Sequence, residues 1–208
     1  MDACLPHLSV ADFVQHPLHD ADRIWTETNC YVDLWIELLN AMGLEPRAAL
    51  GFAARQRFEG DQFTFTKFDL RDLETLFGLH VQELAIFDPV ETHVHRQLER
   101  GRICLIEVDP FYLPDTGIAA YRVTHGKTTV AVNRMDRDGR RAEYFHNAGY
   151  FALEGEDYEG LFRPLQDALA PFRPYVEFVP LDPVRLPEAE LRRRALDLFA
   201  YHLSLIHI

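Results

Sequence analysis

Apolar residues recur at helical spacing in several stretches of the chain. Val32, Trp35, Ile36 and Leu39 form one such stripe, and Gly43 follows it, as is common where a helix ends. Most of the other stripes begin at a proline or at a capping aspartate, which are typical residues of a first helical turn. From these signals, helices are predicted over residues 28–42, 46–53, 69–77, 89–100 and 187–203.

Short apolar or alternating runs predict the strands. Ile103–Val108 is almost wholly apolar, which indicates a central strand. Thr128–Asn133 and Glu143–His146 are joined by Asp136-Arg137-Asp138-Gly139, a turn sequence, and so predict an antiparallel hairpin. Further strands are predicted over residues 62–66, 81–87 and 176–179, the last of them as an edge strand.

This order of elements, with helices first and a hairpin late, predicts an α+β fold with helices on a mostly antiparallel sheet. We find no repeat, low-complexity tract or Gly/Ser-rich linker, so one domain over residues 1–208 is expected. The segment after His202 has no polar stop signal and no helix cap. We therefore expect that the sequence is truncated there, or that its last few residues are foreign to the natural protein.

Charge and cysteine usage restrict the possible partners and the compartment. Thirty-three acidic residues against 21 basic ones give a net charge of −12, which disfavours nucleic-acid backbones and anionic membranes. Three unevenly spaced cysteines do not suggest a disulfide framework and favour a reducing compartment. The N-terminus does not resemble a signal peptide, and no apolar run approaches the roughly 18 residues of a membrane span. A cytoplasmic protein is expected.

Cys30 lies where the first helix should begin. The positive end of a helix and its unpaired N–H groups favour a thiolate. His125 precedes one strand of the hairpin and Asn147 follows the other, so antiparallel pairing should bring them close. A helix-borne cysteine, a strand-borne histidine and an adjacent amide form the layout of papain-like enzymes. Alternatively, Cys30 is a small core residue, His125 a hydrogen-bonding residue and Asn147 a turn former.

Asp109 and Asp115, on either side of Tyr112-Leu113-Pro114, are candidates for acid–base chemistry or for Mg²⁺ binding. Asp136 fits the hairpin turn better than such a site. His93 and His95 are two positions apart and would point to different helix faces. No zinc, nucleotide or serine-hydrolase motif is present, so we expect no metal site.

Five segments combine uncommon residues in order along the chain. They are Thr28–Trp35, Phe58–Gln62, Glu107–Thr116, His125–Thr129 and Tyr144–Tyr150. Together they resemble a bacterial family called domain of unknown function 1839, which implies little about chemistry. A weaker resemblance is to the N-terminal domain of the butirosin-biosynthesis acyltransferase, through an aspartate after a core strand, Tyr112-Leu113-Pro114, and a histidine before the next strand.

The second resemblance implies a papain-like fold and transfer of an aminoacyl group from a carrier-protein thioester to an amine. Cys30 would be the nucleophile, His125 the base and Asn147 its orienter, although the related pattern favours aspartate at the third position. Residues expected to bind substrate are Asn29, Asp109, Tyr112, Asp115 and His146.

The expected function is therefore a cysteine-dependent acyltransferase without a bound cofactor. The acyl group would arrive on the phosphopantetheine arm of an acyl or aminoacyl carrier protein, and the acceptor would be a small amine. A papain-like amidase or peptidase and a non-catalytic carrier-binding or partner-binding domain remain alternatives. Because carrier proteins are acidic, such a partner requires a local basic patch. Its candidate residues are Arg96, Arg100, Arg102, Arg140 and Arg141.

Overall fold

The computed structural model describes residues 2–20, 29–64, 67–163 and 174–205. The α-helices are α1 (Cys30–Ala41), α2 (Leu70–Phe77), α3 (Val90–Glu99), α4 (Gly117–Ala120), α5 (Glu156–Phe162) and α6 (Glu188–Ser204). The strands are β1 (Asp2–Ala3), β2 (Gln82–Glu83), β3 (Arg102–Val108), β4 (Thr128–Asp136), β5 (Arg141–His146), β6 (Gly149–Glu154) and β7 (Val176–Pro180). Short 3₁₀ helices cover Pro17–His19, Pro46–Arg55, Pro110–Tyr112 and Pro114–Thr116.

The strands form one sheet with the order β2-β7-β3-β4-β5-β6, and β1 pairs with β4. Every pairing in it is antiparallel. The predicted hairpin forms between β4 and β5, and in its turn the Gly139 N–H donates to Asp136 Oδ1 over 2.9 Å. The central position of β3 is confirmed. The prediction that residues 176–179 form an edge strand is wrong, because β2 covers the outer side of β7.

Helices cover both faces of the sheet, so the predicted α+β class is confirmed. Alternate residues of a strand point to opposite faces. On one face, Leu105 and Phe145 pack with α1, α2 and the 3₁₀ segment Pro46–Arg55. On the other face, Ile106 and Tyr144 pack with α3 and α5. This double covering explains why β3 is almost continuously apolar.

Helix α1 begins close to the predicted position. The N-cap is Asn29, whose Oδ1 accepts a hydrogen bond from the Val32 N–H over 3.2 Å. The predicted cap, Thr28, lies outside the described residues. In the apolar stripe of α1, Trp35, Ile36 and Leu39 are buried, and Val32 is partly buried. Cys30 therefore occupies the first helical turn, as the sequence predicts.

The prediction of strands was less accurate where the aromatic residues pair locally. The predicted strand over 62–66 is reduced to one isolated bridge between Phe58 and Phe63, whose exposed rings pack on each other at 5.2 Å. Residues 65 and 66 lie outside the described part. The predicted strand over 81–87 is only the two-residue β2. Strand β6 and helix α5, which follow the hairpin, were not predicted.

Candidate functional site

One end of the sheet brings three chain segments together. Because β3, β4 and β5 are antiparallel neighbours, the end of β3, the start of β4 and the end of β5 share this end. The first turn of α1 also reaches it. A cavity of about 520 Å³ lies here. Its lining includes Gln15, Asn29, Cys30, Asp115, Thr128, His146 and Asn147.

His146 is the histidine that shares this cavity with Cys30. Its Nδ1 lies 2.5 Å from Oδ2 of Asp115, and its Nε2 lies 2.8 Å from Oγ1 of Thr128. The two paired side chains are deeply buried, with 2% of His146 and 4% of Asp115 exposed. The ring is therefore held at both nitrogens, by Asp115 at Nδ1 and by Thr128 at Nε2.

The protonation pattern of this pair follows from Tyr144. The Tyr144 hydroxyl donates to Oδ1 of Asp115 over 2.5 Å. Burial, followed by the nearby Asp115 carboxylate, raises the pKa of Tyr144 far above its usual range, so the hydroxyl keeps its proton. Asp115 is then an acceptor from both Tyr144 and His146. A neutral His146 consequently carries its proton on Nδ1 and presents the Nε2 lone pair to Thr128.

Cys30 is a free, half-buried thiol in the first turn of α1. The backbone N–H groups of a first turn have no acceptor within the helix, and they make the local potential positive. Asn29, expected to help bind substrate, lines the cavity but also uses its Oδ1 to cap the helix. The cavity thus combines a nucleophilic atom, a positioned imidazole and a helix N-terminus.

His125, the predicted base, occupies a different environment. Its Nδ1 lies 2.6 Å from Oδ2 of Asp109, and its ring stacks on Phe111 at 4.3 Å. The His125 side chain is 69% exposed. Among the described residues that line the cavity, neither His125 nor Asp109 occurs. The structure therefore brings Cys30 and Asn147 to one cavity but does not group His125 with them.

The register of the hairpin explains this difference. Ala131 pairs with Phe145, and continuing that register to the start of β4 brings Thr128, rather than His125, level with the β5–β6 turn. His125 lies three residues before β4 begins. Asn147 lies in the turn itself with φ of +45°, a conformation that asparagine tolerates better than most residues. The sequence thus predicted neighbouring residues in place of those that meet here: His125 in place of Thr128 on one strand, and Asn147 in place of His146 on the other.

Tyr112, also expected in the pocket, packs elsewhere. A Cβ atom at Gly160 of α5 would lie 2.2 Å from the Tyr112 ring, so the two segments approach as closely as glycine allows. The Arg122 guanidinium lies 5.4 Å from the centre of the same ring. Tyr112 is not among the described residues that line the cavity. It packs the loop after β3 against α5.

Gln15 and Thr128 line the cavity and were not predicted. Thr128 could have been found from the hairpin register, whereas nothing in the sequence pattern indicates Gln15. The Gln15 side chain donates from Nε2 to the carbonyl of His19 over 2.8 Å. An amide nitrogen has two N–H groups, so one further donor remains. Gln15 is thereby held beside Cys30.

A buried charge cluster anchors the segment that carries Gln15. His19 is fully buried and pairs with Glu37 through Nδ1 and with Asp33 through Nε2 over 3.3 Å. Burial alone would lower the pKa of His19, but hydrogen bonds to Asp33 and Glu37 outweigh it and raise the pKa to about 9. Both carboxylates belong to α1. The cluster therefore ties residues 14–20 to the helix that carries Cys30.

A family model described as the DUF1839 N-terminal domain matches residues 14–181 of the chain. The chain belongs to this DUF1839 family. The match extends from the segment of Gln15 to β7 and includes Cys30, Asp115 and His146. A comparison with curated proteins gives no match. Within the described part of this DUF1839 protein, no helix combines the length and apolar character needed to cross a membrane.

Proposed function

We propose that the cavity is the active site of a cysteine-dependent acyltransferase, with Cys30 as nucleophile and His146 as general base. The observation that carries this proposal is the buried Asp115–His146 pair in the cavity that also contains the Cys30 thiol. A nucleophile, a base and an orienting carboxylate at one cavity are the components of covalent acyl transfer. Asp115 takes the orienting role that was expected of Asn147.

In the proposed reaction, the Thr128 hydroxyl first gives up its hydrogen bond to Nε2 of His146, and this nitrogen then takes the proton of the Cys30 thiol. The thiolate attacks the carbonyl carbon of an acyl thioester, and the donor thiol leaves with the proton from His146. Cys30 then carries the acyl group as a thioester. An amine attacks this carbonyl, His146 accepts the amine proton, and the Cys30 sulfur leaves and is reprotonated. The product is an amide, and Asp115 stabilises the imidazolium at each stage.

Two groups are suited to stabilise the oxyanion that forms during both steps. One is the Cys30 backbone N–H, which has no acceptor within α1 because it belongs to the first turn. The other is the second Nε2–H of Gln15, which the His19 carbonyl leaves available. Asn29 is less suited, since its side-chain oxygen caps the helix. This assignment gives Gln15 a role in the chemistry.

The observed fold supports a papain-like arrangement without establishing it. A cysteine at the start of a helix packs near the end of an antiparallel hairpin, which agrees with the resemblance to the butirosin-biosynthesis acyltransferase domain. That resemblance favours an aspartate that follows the base in the chain, whereas Asp115 precedes His146, so the carboxylate agrees with the related pattern and the chain order does not. If the acyl group passes to water instead of an amine, the same scaffold acts as an amidase or peptidase. The two differ in whether water or an amine reaches the acyl-enzyme.

The carrier-protein donor rests on the resemblance alone. Three arginines of the expected basic patch are already paired with carboxylates: Arg96 with Asp88, Arg140 with Glu159 and Arg141 with Glu143. Their positive charge is partly neutralised, so they form a weak surface for an acidic partner. A free acyl thioester is therefore the first substrate to test, and a carrier-bound one the second.

Thr128 is a second candidate nucleophile. Its Oγ1 lies 2.8 Å from Nε2 of His146, so Thr128, His146 and Asp115 form a continuous hydroxyl–imidazole–carboxylate chain. This is the arrangement by which a histidine activates a hydroxyl group. The favoured nucleophile is still Cys30, because a thiol ionises far more readily than a hydroxyl group.

The test is mass-spectrometric location of the acyl adduct. The protein would be incubated with a small aminoacyl thioester, digested, and compared with Cys30→Ala, Thr128→Val and Cys104→Ala. The proposal expects an adduct on the Cys30 peptide that is lost only in Cys30→Ala. An adduct on the Thr128 peptide supports the second candidate. Absence of any adduct, with thioesters presented free and on carrier proteins, favours a non-catalytic domain.

Adding amines then separates transfer from hydrolysis. Release of an amide from the isolated acyl-enzyme identifies a transferase. Release of the free acid at the same rate with and without the amine identifies a hydrolase and contradicts the transferase assignment.

A further inference from the structure

Three metal-ligating side chains meet where α2 packs against α6. Asp69 caps α2, Asp72 lies in its first turn, and His202 projects from α6. One ligand atom from each lies within 4.8 Å of the other two. The Asp72 and His202 side chains are almost completely buried, with 2% and 0% exposed. This cluster is separate from the cavity that contains Cys30.

Two atoms of this cluster are buried without a hydrogen-bond partner in the described part of the chain. They are Oδ1 of Asp72 and Nδ1 of His202, whereas Oδ2 of Asp72 lies 2.6 Å from Nε2 of His202. A buried carboxylate oxygen without a partner is costly, and such groups often indicate a bound water or ion.

We propose that Asp69, Asp72 and His202 bind one divalent transition-metal ion. One imidazole and two carboxylates suit Zn²⁺, Mn²⁺, Co²⁺ or Fe²⁺, whereas Mg²⁺ and Ca²⁺ favour oxygen ligands alone. An ion among these side chains gives the Asp72 carboxylate the positive partner that its Oδ1 lacks. Nε2 of His202 is the nitrogen that faces Asp72, so a bound ion replaces the hydrogen bond between Nε2 and Oδ2 of Asp72, and the proton of that bond is released to solvent.

Asp69 is the member of the cluster that solvent reaches. Its side chain is 23% exposed, so an ion and a water ligand have an entry path on this side. Its oxygens also accept from the Arg71 backbone N–H and from the Arg55 guanidinium, each over 3.0 Å. Carboxylates at metal sites are commonly held by such outer hydrogen bonds. The positive charge of Arg55 also lowers the affinity of the cluster for a cation. Stoichiometric metal binding would therefore be strong support for the proposal.

The ion has a structural role in this proposal. Asp72 and His202 are 130 positions apart, so a shared ion would fix α6 against α2. This separation also explains why the sequence predicts no metal site. Asp69-x-x-Asp72 is a short acidic pair without a neighbouring histidine, and it resembles an ordinary helix N-terminus.

The experiment measures metal content and thermal stability of the whole protein. Metal-depleted protein would be dialysed against Zn²⁺, Mn²⁺ or Co²⁺ and analysed for metal per chain, with Tm recorded with and without chelator. The proposal expects close to one ion per chain and a Tm that rises with metal concentration. Bound Co²⁺ should also give a visible absorption spectrum.

Two variants and one control make the test specific. Asp69→Asn keeps a good helix cap but removes a carboxylate, and should weaken metal binding at least tenfold while the protein still folds. His202→Gln should abolish stoichiometric binding. His80→Gln, which removes a histidine from the exposed pair with Glu74, should change neither measurement. If the wild type binds no stoichiometric metal, or if Asp69→Asn and His202→Gln bind it unchanged, the proposal is overturned and the cluster is an ordinary buried ion pair.

Discussion

The loop after β3 carries the aspartates of two aspartate–histidine pairs that are alike in bonding and unlike in surroundings. Asp109 pairs with His125 over 2.6 Å, and Asp115 pairs with His146 over 2.5 Å, in each case through Nδ1 and Oδ2. The first histidine side chain is 69% exposed and the second 2%. Only the second pair shares a cavity with Cys30 among the described residues.

The difference shows that a good hydrogen bond does not by itself identify a catalytic base. A solvent-exposed pair is weakened by water and by salt, and its histidine can leave its partner at low cost. A buried pair is held in one orientation and works in a lower effective dielectric. His146 is therefore the base that we propose, and variants of the two pairs would test this contrast.

The largest expected effect comes from removing the base. His146→Gln should lower the rate of acyl transfer by about 10³-fold, within the range typical of general-base loss. The matched variant His125→Gln should lower it by less than about tenfold. Both rates would be measured with the same thioester and amine. Equal losses in the two variants would remove the basis for choosing between the pairs.

A smaller but related loss is expected from the two aspartates. Asp115→Asn should reduce the rate by about 10²-fold or more, because the amide no longer fixes the tautomer of His146. Asp109→Asn should change it by no more than a few-fold. The pH dependence of the rate should shift in Asp115→Asn and stay the same in Asp109→Asn. A larger effect from Asp109 would indicate that the exposed pair acts in the reaction.

His19 shows what burial does to a histidine whose side-chain partners, Glu37 and Asp33, are not among the described residues that line the cavity. Its folded-state pKa of about 9 lies above the unfolded value of about 6.5, so its contribution to stability is complete below pH 6.5 and is lost as the pH rises through 9. His19→Gln should lower the free energy of unfolding by about 3 kcal/mol at pH 6. Urea unfolding at pH 6 and pH 9.5 would measure this.

Two comparisons check the assignment to His19. The stability difference between wild type and His19→Gln should shrink at pH 9.5. The exposed His80→Gln variant provides the control and should leave stability unchanged at both values. A loss that is the same at the two pH values would show that His19 acts by packing and not by its charge.

The smallest effect is expected at Tyr144. Tyr144→Phe removes the hydroxyl that donates to Asp115 and should cost about 1 kcal/mol of stability. Transfer should slow by a few-fold only, since the bond between Asp115 and His146 remains. Thermal unfolding and steady-state rates would measure the two quantities. A rate loss as large as that of Asp115→Asn would mean that the bond between Asp115 and His146 does not orient the ring without the Tyr144 hydroxyl.

The sequence predicts the helix and the hairpin of this site more accurately than it predicts which of their residues come together. The apolar stripe and Gly43 define α1, and the turn at 136–139 defines the hairpin, because local residue preferences determine both. The partner of Cys30 depends instead on strand register, because His125 lies before β4 begins, whereas His146 is the last residue of β5 and lines the cavity. The edge position expected for β7 was wrong, because the strand predicted over residues 81–87 gives no local signal of the strand with which it pairs.

The first acylation of Cys30 tests most directly whether His146 or His125 is the base. Wild type, His125→Gln and His146→Gln would each be mixed with an excess of a small aminoacyl thioester, quenched at intervals, and the Cys30 peptide analysed by mass spectrometry. The account predicts rapid acylation in wild type and His125→Gln, and acylation slowed by about 10³-fold in His146→Gln. Rapid acylation in His146→Gln together with slow acylation in His125→Gln would contradict it.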